Sequence, residues 1–185
     1  MLDKIDLLIL DVDGVLTDGR IIYDSRGSDV KVFDVLDGQG LRYWMRAGHA
    51  TAILSGRSSP AIRRRARELD ITAVYQNVHD KLPVFEKILK RFGRTPDRVC
   101  YMGDDLVDLP VLARVGYAVA VPGAVEEVRR VAHAVTSHPG GAGAVRETIE
   151  RILKYQGRWN DIARRYIEHM PPDLPAARNP WRDQG

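Results

Sequence analysis

Ile5-Asp6-Leu7-Leu8-Ile9-Leu10-Asp11-Val12-Asp13-Gly14 sets the architecture of this 185-residue chain. A short apolar run leads straight into a cluster of carboxylates. Crossing a bilayer takes about 18 consecutive apolar residues, so the run reads instead as a buried strand ending in a polar loop. Working outward, residues 51–54, 73–75, 99–102 and 117–121 repeat the pattern, each brief, apolar and followed by polar or glycine-containing residues. Helical spacing fills the intervals. Leu82, Phe85, Ile88, Leu89 and Phe92 recur on one face and stop at Gly93, a helix-ending signal. Ile62, Ala66 and Leu69 mark a shorter helix, and Val145, Ile149, Ile152 and Leu153 another. Strands alternating with helices predict an α/β fold with a parallel sheet.

Two segments depart from this rhythm. Residues 20–23 and 30–33 flank Asp24-Ser25-Arg26-Gly27, which predicts a β-hairpin inserted over about residues 19–33. Near the end, Trp159, Ile162, Ala163, Tyr166, Ile167 and Met170 form an apolar stripe that has to be covered, by its own domain or by another subunit. Residues 1–170 are expected to form one domain, and the proline- and arginine-rich residues 171–185 an irregular tail.

Composition narrows the function classes. The net charge of +3 resides in residues 151–185, with seven Lys/Arg against four Asp/Glu, so the first 150 residues are balanced. Arg63-Arg64-Arg65 is a local cluster without an aromatic-studded basic stripe, and nucleic acid is not an expected partner. Neither a membrane partner nor a secretion signal is read from the sequence, and the expected location is the cytoplasm. Cys100 is the single cysteine, in an apolar strand, and is expected to be a buried structural thiol. The histidines have no metal-ligand spacing.

In open α/β sheets, ligands bind beyond the carboxyl ends of the strands. That edge collects Asp11-Val12-Asp13-Gly14, Ser55-Gly56-Arg57, Lys81, and Gly103-Asp104-Asp105 with Asp108. A hard cation such as Mg²⁺ takes one or two carboxylates together with substrate phosphate and water. Asp11 and Asp104 supply the carboxylates, and Asp13 a backbone carbonyl, while its side chain reaches the substrate. An anionic nucleophile meeting an anionic phosphate is the central difficulty. Two like charges ~4 Å apart repel by about 4 kcal/mol at an effective dielectric near 20. Mg²⁺ and Lys81 reverse that balance, and Ser55 with nearby N–H groups holds phosphate oxygens. Asp13 then protonates the leaving alkoxide and later activates water. The expected reaction is hydrolysis of a phosphate monoester through a phospho-aspartate on Asp11.

Through Asp11-Val12-Asp13-Gly14-Val15-Leu16-Thr17, Ser55-Gly56, Lys81 and Gly103-Asp104-Asp105, the sequence resembles the haloacid dehalogenase superfamily over about residues 5–155. The resemblance implies a Rossmann-like sheet, Asp11 as nucleophile, and phosphate-ester chemistry from the second aspartate, Asp13. A narrower likeness, to a capless branch of sugar-acid phosphatases, the 3-deoxy-D-manno-octulosonate 8-phosphate phosphatases, is carried by Leu16-Thr17-Asp18-Gly19, the hairpin, Asp37-Gly38-Gln39-Gly40 and 140–147. It implies no cap domain, a role in lipopolysaccharide sugar synthesis, and homotetramers whose hairpins meet centrally while neighbours close the active sites. It also implies substrate contacts from Asp13, Asp34, Asp37, Gly38, Arg42, Ser55, Gly56, Arg57, Arg65 and Lys81. Guanidinium groups suit a substrate bearing both carboxylate and phosphate.

Three alternatives stay open on the sequence. The substrate could be a nine-carbon sugar acid phosphate or another small metabolite such as a nucleotide. The chain could also be a non-catalytic assembly module, although such modules tend to lose the nucleophile or the metal carboxylates, and here all are present.

Overall fold

A computed structural model describes residues 1–169. Its six-stranded sheet is built from β1 (Leu7–Leu10), β4 (Ala50–Leu54), β5 (Ala73–Tyr75), β6 (Val99–Gly103), β7 (Tyr117–Ala120) and β8 (Ala134–Val135). The order is β5-β4-β1-β6-β7-β8, and every pairing is parallel. All four residues of β1 are fully buried, because a strand between two neighbours with helices on both faces has no solvent side. Each such Leu or Ile contributes about 1.5–3 kcal/mol.

Chain direction explains how the helices are distributed. From β1 the chain steps through α1 (Val35–Arg46) to β4 and through α2 (Pro60–Glu68) to β5. It then returns through α3 (Lys81–Phe92) to β6 and continues the other way through α4 (Leu109–Leu112) and α5 (Glu126–Val131). Right-handed crossovers therefore put α1 and α2 on one face and α3 to α5 on the other. The chain diverges to opposite faces after β1 and β6, which creates a topological switch point between their carboxyl ends. α6 (Ala144–Tyr155) packs on α1, and α7 (Trp159–Ile167) on α6.

The expected strands are present with ends shifted by one or two residues, and β8 is an addition. The helix ending at Gly93 is there, with Gly93 in the left-handed region at φ 60°. The hairpin is shorter than expected, a pairing of β2 (Ile22–Tyr23) with β3 (Asp29–Val30) closed by Asp24, whose side chain accepts from the Arg26 and Ser28 N–H groups. Among the described residues it is the only sheet structure inserted between β1 and α1. The apolar stripe near the end docks on its own chain. Trp159 meets Tyr43 edge-on at 5.8 Å, and the Arg146 guanidinium lies 5.2 Å from the Trp159 ring centroid. Met170 and residues 171–185 lie outside the described residues.

Candidate active site

Backbone folding positions Asp11 first. The Val12 carbonyl accepts from the N–H groups of Val15, Leu16 and Thr17 at 2.9–3.2 Å, curling the chain directly after β1. Asp11 Oδ1 accepts from the Val12 N–H at 2.7 Å, and Oδ2 lies 3.1 Å from Lys81 Nζ. Gly14 allows this loop to approach β6, since a Cβ there would overlap the Asp104 carboxylate.

Lys81 opens α3 and is buried. Its ammonium donates to Asp108 Oδ1 at 2.6 Å, and Tyr101 OH donates to the same oxygen at 2.5 Å. Asp108 Oδ2 accepts from the Asp104 and Asp105 N–H groups at 3.0 and 3.2 Å. Carboxylate oxygens of Asp11, Asp104 and Asp108 all lie within 4.8 Å of one another. Asp108 is fully committed to those four donors, however, so it aims Lys81 and the Asp104 loop and leaves Asp11 and Asp104 as the available ligands. Three carboxylates against one ammonium leave two negative charges, which a divalent cation balances. The donors are all oxygen, from two strand ends, which fits Mg²⁺. The Asp13 carbonyl accepts no hydrogen bond among the described residues and is free to add a third ligand.

Electrostatics report the same charge excess. Burial pushes Asp11 up to about 6, with Lys81 opposing and Asp108 adding to the rise. Burial, together with Asp11 and Asp108, pushes Asp104 up to about 7. Burial alone would lower Lys81, but Asp11 and Asp108 hold it above its ordinary value.

A stability prediction follows for the metal-free protein. Folded Asp104 binds protons that the unfolded chain releases near pH 4, so its ionisation costs stability as pH rises from about 4 to 7. Asp104→Asn is expected to raise metal-free stability at pH 8 by about 1–2 kcal/mol, after allowing for screening at a half-buried group. The gain vanishes near pH 4. Thermal melts in EDTA check this, and an unchanged or lower Tm at pH 8 contradicts it.

The remaining residues fall into two groups. Asp13 Oδ2 lies 3.9 Å from Arg57 Nε, and Asp13 Oδ1 accepts from Lys31, a hairpin residue that sequence reasoning missed. Ser55 is buried at the end of β4, its Oγ accepting from the Arg57 N–H at 3.3 Å, and Gly56 follows it. The second group is fastened where α1 meets α2 and α6 and makes no hydrogen bond or ion pair to the carboxylate cluster. Asp34 caps α1 by accepting from the Asp37 N–H at 2.9 Å. Arg65 donates to the Asp34 carbonyl at 3.2 Å and fills the space over Gly38. Arg42 donates to the Glu68 carbonyl at 2.7 Å. Asp37 is buried and serves the α6 N-terminus, accepting from the Arg146 and Gly143 N–H groups at 2.8 and 3.3 Å. A cavity of about 320 Å³ lined by Arg46, Arg158, Arg165 and Tyr166 shares no residue with either group.

Gly140 and Gly141 seat the 136–143 loop on the back of the Asp11 loop. A Cβ at Gly140 would overlap the Gly14 carbonyl, and backbone cannot swing aside as a side chain can. Gly140→Ala is expected to lower Tm by several degrees and turnover at this site at least tenfold. A wild-type melt and wild-type rate would contradict this close approach.

Known proteins resemble this chain along most of its length. A haloacid dehalogenase-like hydrolase model matches residues 27–116. The 3-deoxy-D-manno-octulosonate 8-phosphate phosphatase KdsC of Yersinia pestis is 43% identical over 155 residues, covering 84% of this chain and 83% of that protein. The Moraxella catarrhalis 3-deoxy-D-manno-octulosonate 8-phosphate phosphatase, solved with magnesium, phosphate and KDO, superposes with a TM-score of 0.87 at 40% identity, covering 89% of this chain and 95% of that one. The cobalt-bound deoxy-D-mannose-octulosonate 8-phosphate phosphatase (YrbI) of Haemophilus influenzae gives a TM-score of 0.82 at 42% identity, covering 84% of this chain and 91% of that one. With a β1-loop aspartate pair, a buried lysine and a β6 aspartate at one switch point, the chain belongs to the haloacid dehalogenase-like hydrolases, in the family of the 3-deoxy-D-manno-octulosonate 8-phosphate phosphatases.

Proposed function

We propose that this protein is a Mg²⁺-dependent phosphatase acting on 3-deoxy-D-manno-octulosonate 8-phosphate through a phospho-aspartate on Asp11. The observation that carries the proposal is Asp11 poised 3.1 Å from buried Lys81, with Asp104 beside it at the switch point. Asp11, Asp104 and the Asp13 carbonyl would hold Mg²⁺, which supplies charge neutralisation for the incoming phosphate when bound. Lys81 draws a phosphate oxygen toward Asp11, and Ser55 offers its hydroxyl to another. Asp11 Oδ attacks phosphorus as the bond to the sugar oxygen breaks, and Asp13 gives that oxygen a proton. Asp13 then takes a proton from the water that attacks the phospho-aspartate, returning phosphate and free Asp11.

Arg57, beside Asp13, would meet the sugar acid within its own subunit, whereas Asp34, Asp37, Gly38, Arg42 and Arg65 would shape the sugar-acid end of a site completed by a neighbour. Residues 1–170 would act as one hydrolase domain of a cytoplasmic homotetramer in lipopolysaccharide sugar synthesis. Exposed apolar groups support the assembly: Ile21, Ile22, Tyr23, Val32, Val35 and Leu36 are 46–77% exposed around the hairpin and the start of α1, a patch that association would cover. Light scattering of Ile22→Glu is expected to give smaller species with reduced activity, and a retained tetramer would contradict the hairpin interface.

Phosphate release from eight- and nine-carbon sugar acid phosphates and a nucleotide monophosphate, in Mg²⁺ and in EDTA, tests the function. At least tenfold preference in kcat/KM for the eight-carbon acid is expected. Preference for a nine-carbon acid would keep the chemistry and overturn the substrate, and no metal-dependent release from any of them would overturn the enzyme.

A further inference from the structure

Lys31 follows β3 directly, yet its side chain is only 3% exposed. Its neighbours on the hairpin are largely solvated, whereas its ammonium is turned inward between two carboxylates. It donates to Asp13 Oδ1 and lies 3.6 Å from Asp29 Oδ2, a buried oxygen that accepts no hydrogen bond among the described residues. The other Asp29 oxygen accepts from Ser59 Oγ at 2.8 Å. Ser59 is itself buried, its Oγ caps α2 by accepting from the Ala61 N–H, and its own N–H donates to Gln76 Oε1. A continuous polar chain thus runs from the α2 cap through Asp29 and Lys31 to Asp13.

That chain makes the two Asp13 oxygens inequivalent. Oδ1 is held by Lys31, while Oδ2 accepts no such bond and lies 3.9 Å from Arg57 Nε among the described residues. A carboxyl free to rotate presents either oxygen to a leaving group, and proton donation needs one oxygen within hydrogen-bond reach of its target. We propose that Lys31 is a positioning residue for Asp13: its buried ammonium pins Oδ1 so that Oδ2 carries the proton to the leaving sugar oxygen. In that step the Asp11–phosphorus bond forms, the bond from phosphorus to the sugar oxygen breaks, and the Oδ2 proton moves to that oxygen. Because Lys31 belongs to the hairpin, the seating of the hairpin also governs this alignment. The role rests on the phosphatase function proposed above.

Leaving-group chemistry separates positioning from general support of the fold. A sugar phosphate expels a basic alkoxide and needs the proton, whereas p-nitrophenyl phosphate expels an anion stable without it. First-turnover transfer is followed at saturating substrate with Mg²⁺ for wild type, Lys31→Met and Lys31→Arg. Lys31→Met paired with Asp29→Asn is included so that neither buried charge is orphaned. Both Met variants are expected to slow transfer from 3-deoxy-D-manno-octulosonate 8-phosphate about 10–100-fold, with KM changed less than about threefold. Their rate with p-nitrophenyl phosphate should fall less than about threefold, and Lys31→Arg should recover part of the loss. Equal losses with both substrates, a loss carried by KM alone, or no loss would each overturn the role. Wild type inert toward both substrates would remove the phosphatase function and the role with it, a failure visible before any variant is made.

Discussion

Asp11→Asn is expected to lower kcat/KM for the sugar acid phosphate by at least about ten-thousandfold while the protein stays folded. Asparagine keeps the shape and can still accept from the Val12 N–H that Asp11 Oδ1 engages at 2.7 Å. It is no nucleophile, and it weakens a cation site whose available carboxylates are Asp11 and Asp104. Losing covalent catalysis and metal affinity together justifies the size of the effect. Thermal stability in EDTA should not fall, since the change removes one of three crowded carboxylates. Steady-state rates and melts check both halves. Activity within tenfold of wild type would mean another group attacks phosphorus.

Lys81→Met is the second large effect, and here activity and stability should fall together. Lys81 Nζ lies 3.1 Å from Asp11 Oδ2 and 2.6 Å from Asp108 Oδ1, with only 1% of its side chain exposed. Methionine fills much of the volume but leaves two buried carboxylates facing each other without a cation. Breaking a buried pair by removing one partner costs about 3–5 kcal/mol. A comparable loss is expected in EDTA, part of it recovered in Mg²⁺, because the metal neutralises the same charge. Turnover should fall at least about a thousandfold, since the attacking carboxylate then meets phosphate with the metal alone to offset repulsion. A melt unchanged in EDTA would contradict the charge accounting of the site.

Much of this was legible in the sequence, for a physical reason. A buried parallel strand has to be apolar on both faces, and its end has to turn polar, so β1 with Asp11 and Asp13 reads plainly. Lys81 and Asp104 read by the same logic from the starts and ends of neighbouring elements. The α1 helix was hidden because Gly38 and Gly40 lie inside it, and each costs roughly 1 kcal/mol of helix propensity against alanine. Tertiary packing explains them: Arg65 occupies the space beside Gly38, and a Cβ at Gly40 would crowd Arg146 of α6. Tyr101 was hidden differently. In an apolar strand it reads as core, and only the folded chain brings its hydroxyl to Asp108. Lys31 in Asp29-Val30-Lys31-Val32 looks like any solvated hairpin lysine, and nothing local marks it as buried. Asp37 carried a family signature, while its side chain serves the start of α6, more than a hundred residues away in sequence.

The phospho-aspartate is the central claim, and rapid acid quench with substrate labelled in its phosphate tests it most directly. In the first turnover with Mg²⁺, label is expected on the protein, in the peptide containing Asp11, and is expected to be absent in Asp11→Asn. A full turnover of free phosphate with no labelled protein at any quench time, or label on a different residue, would contradict it.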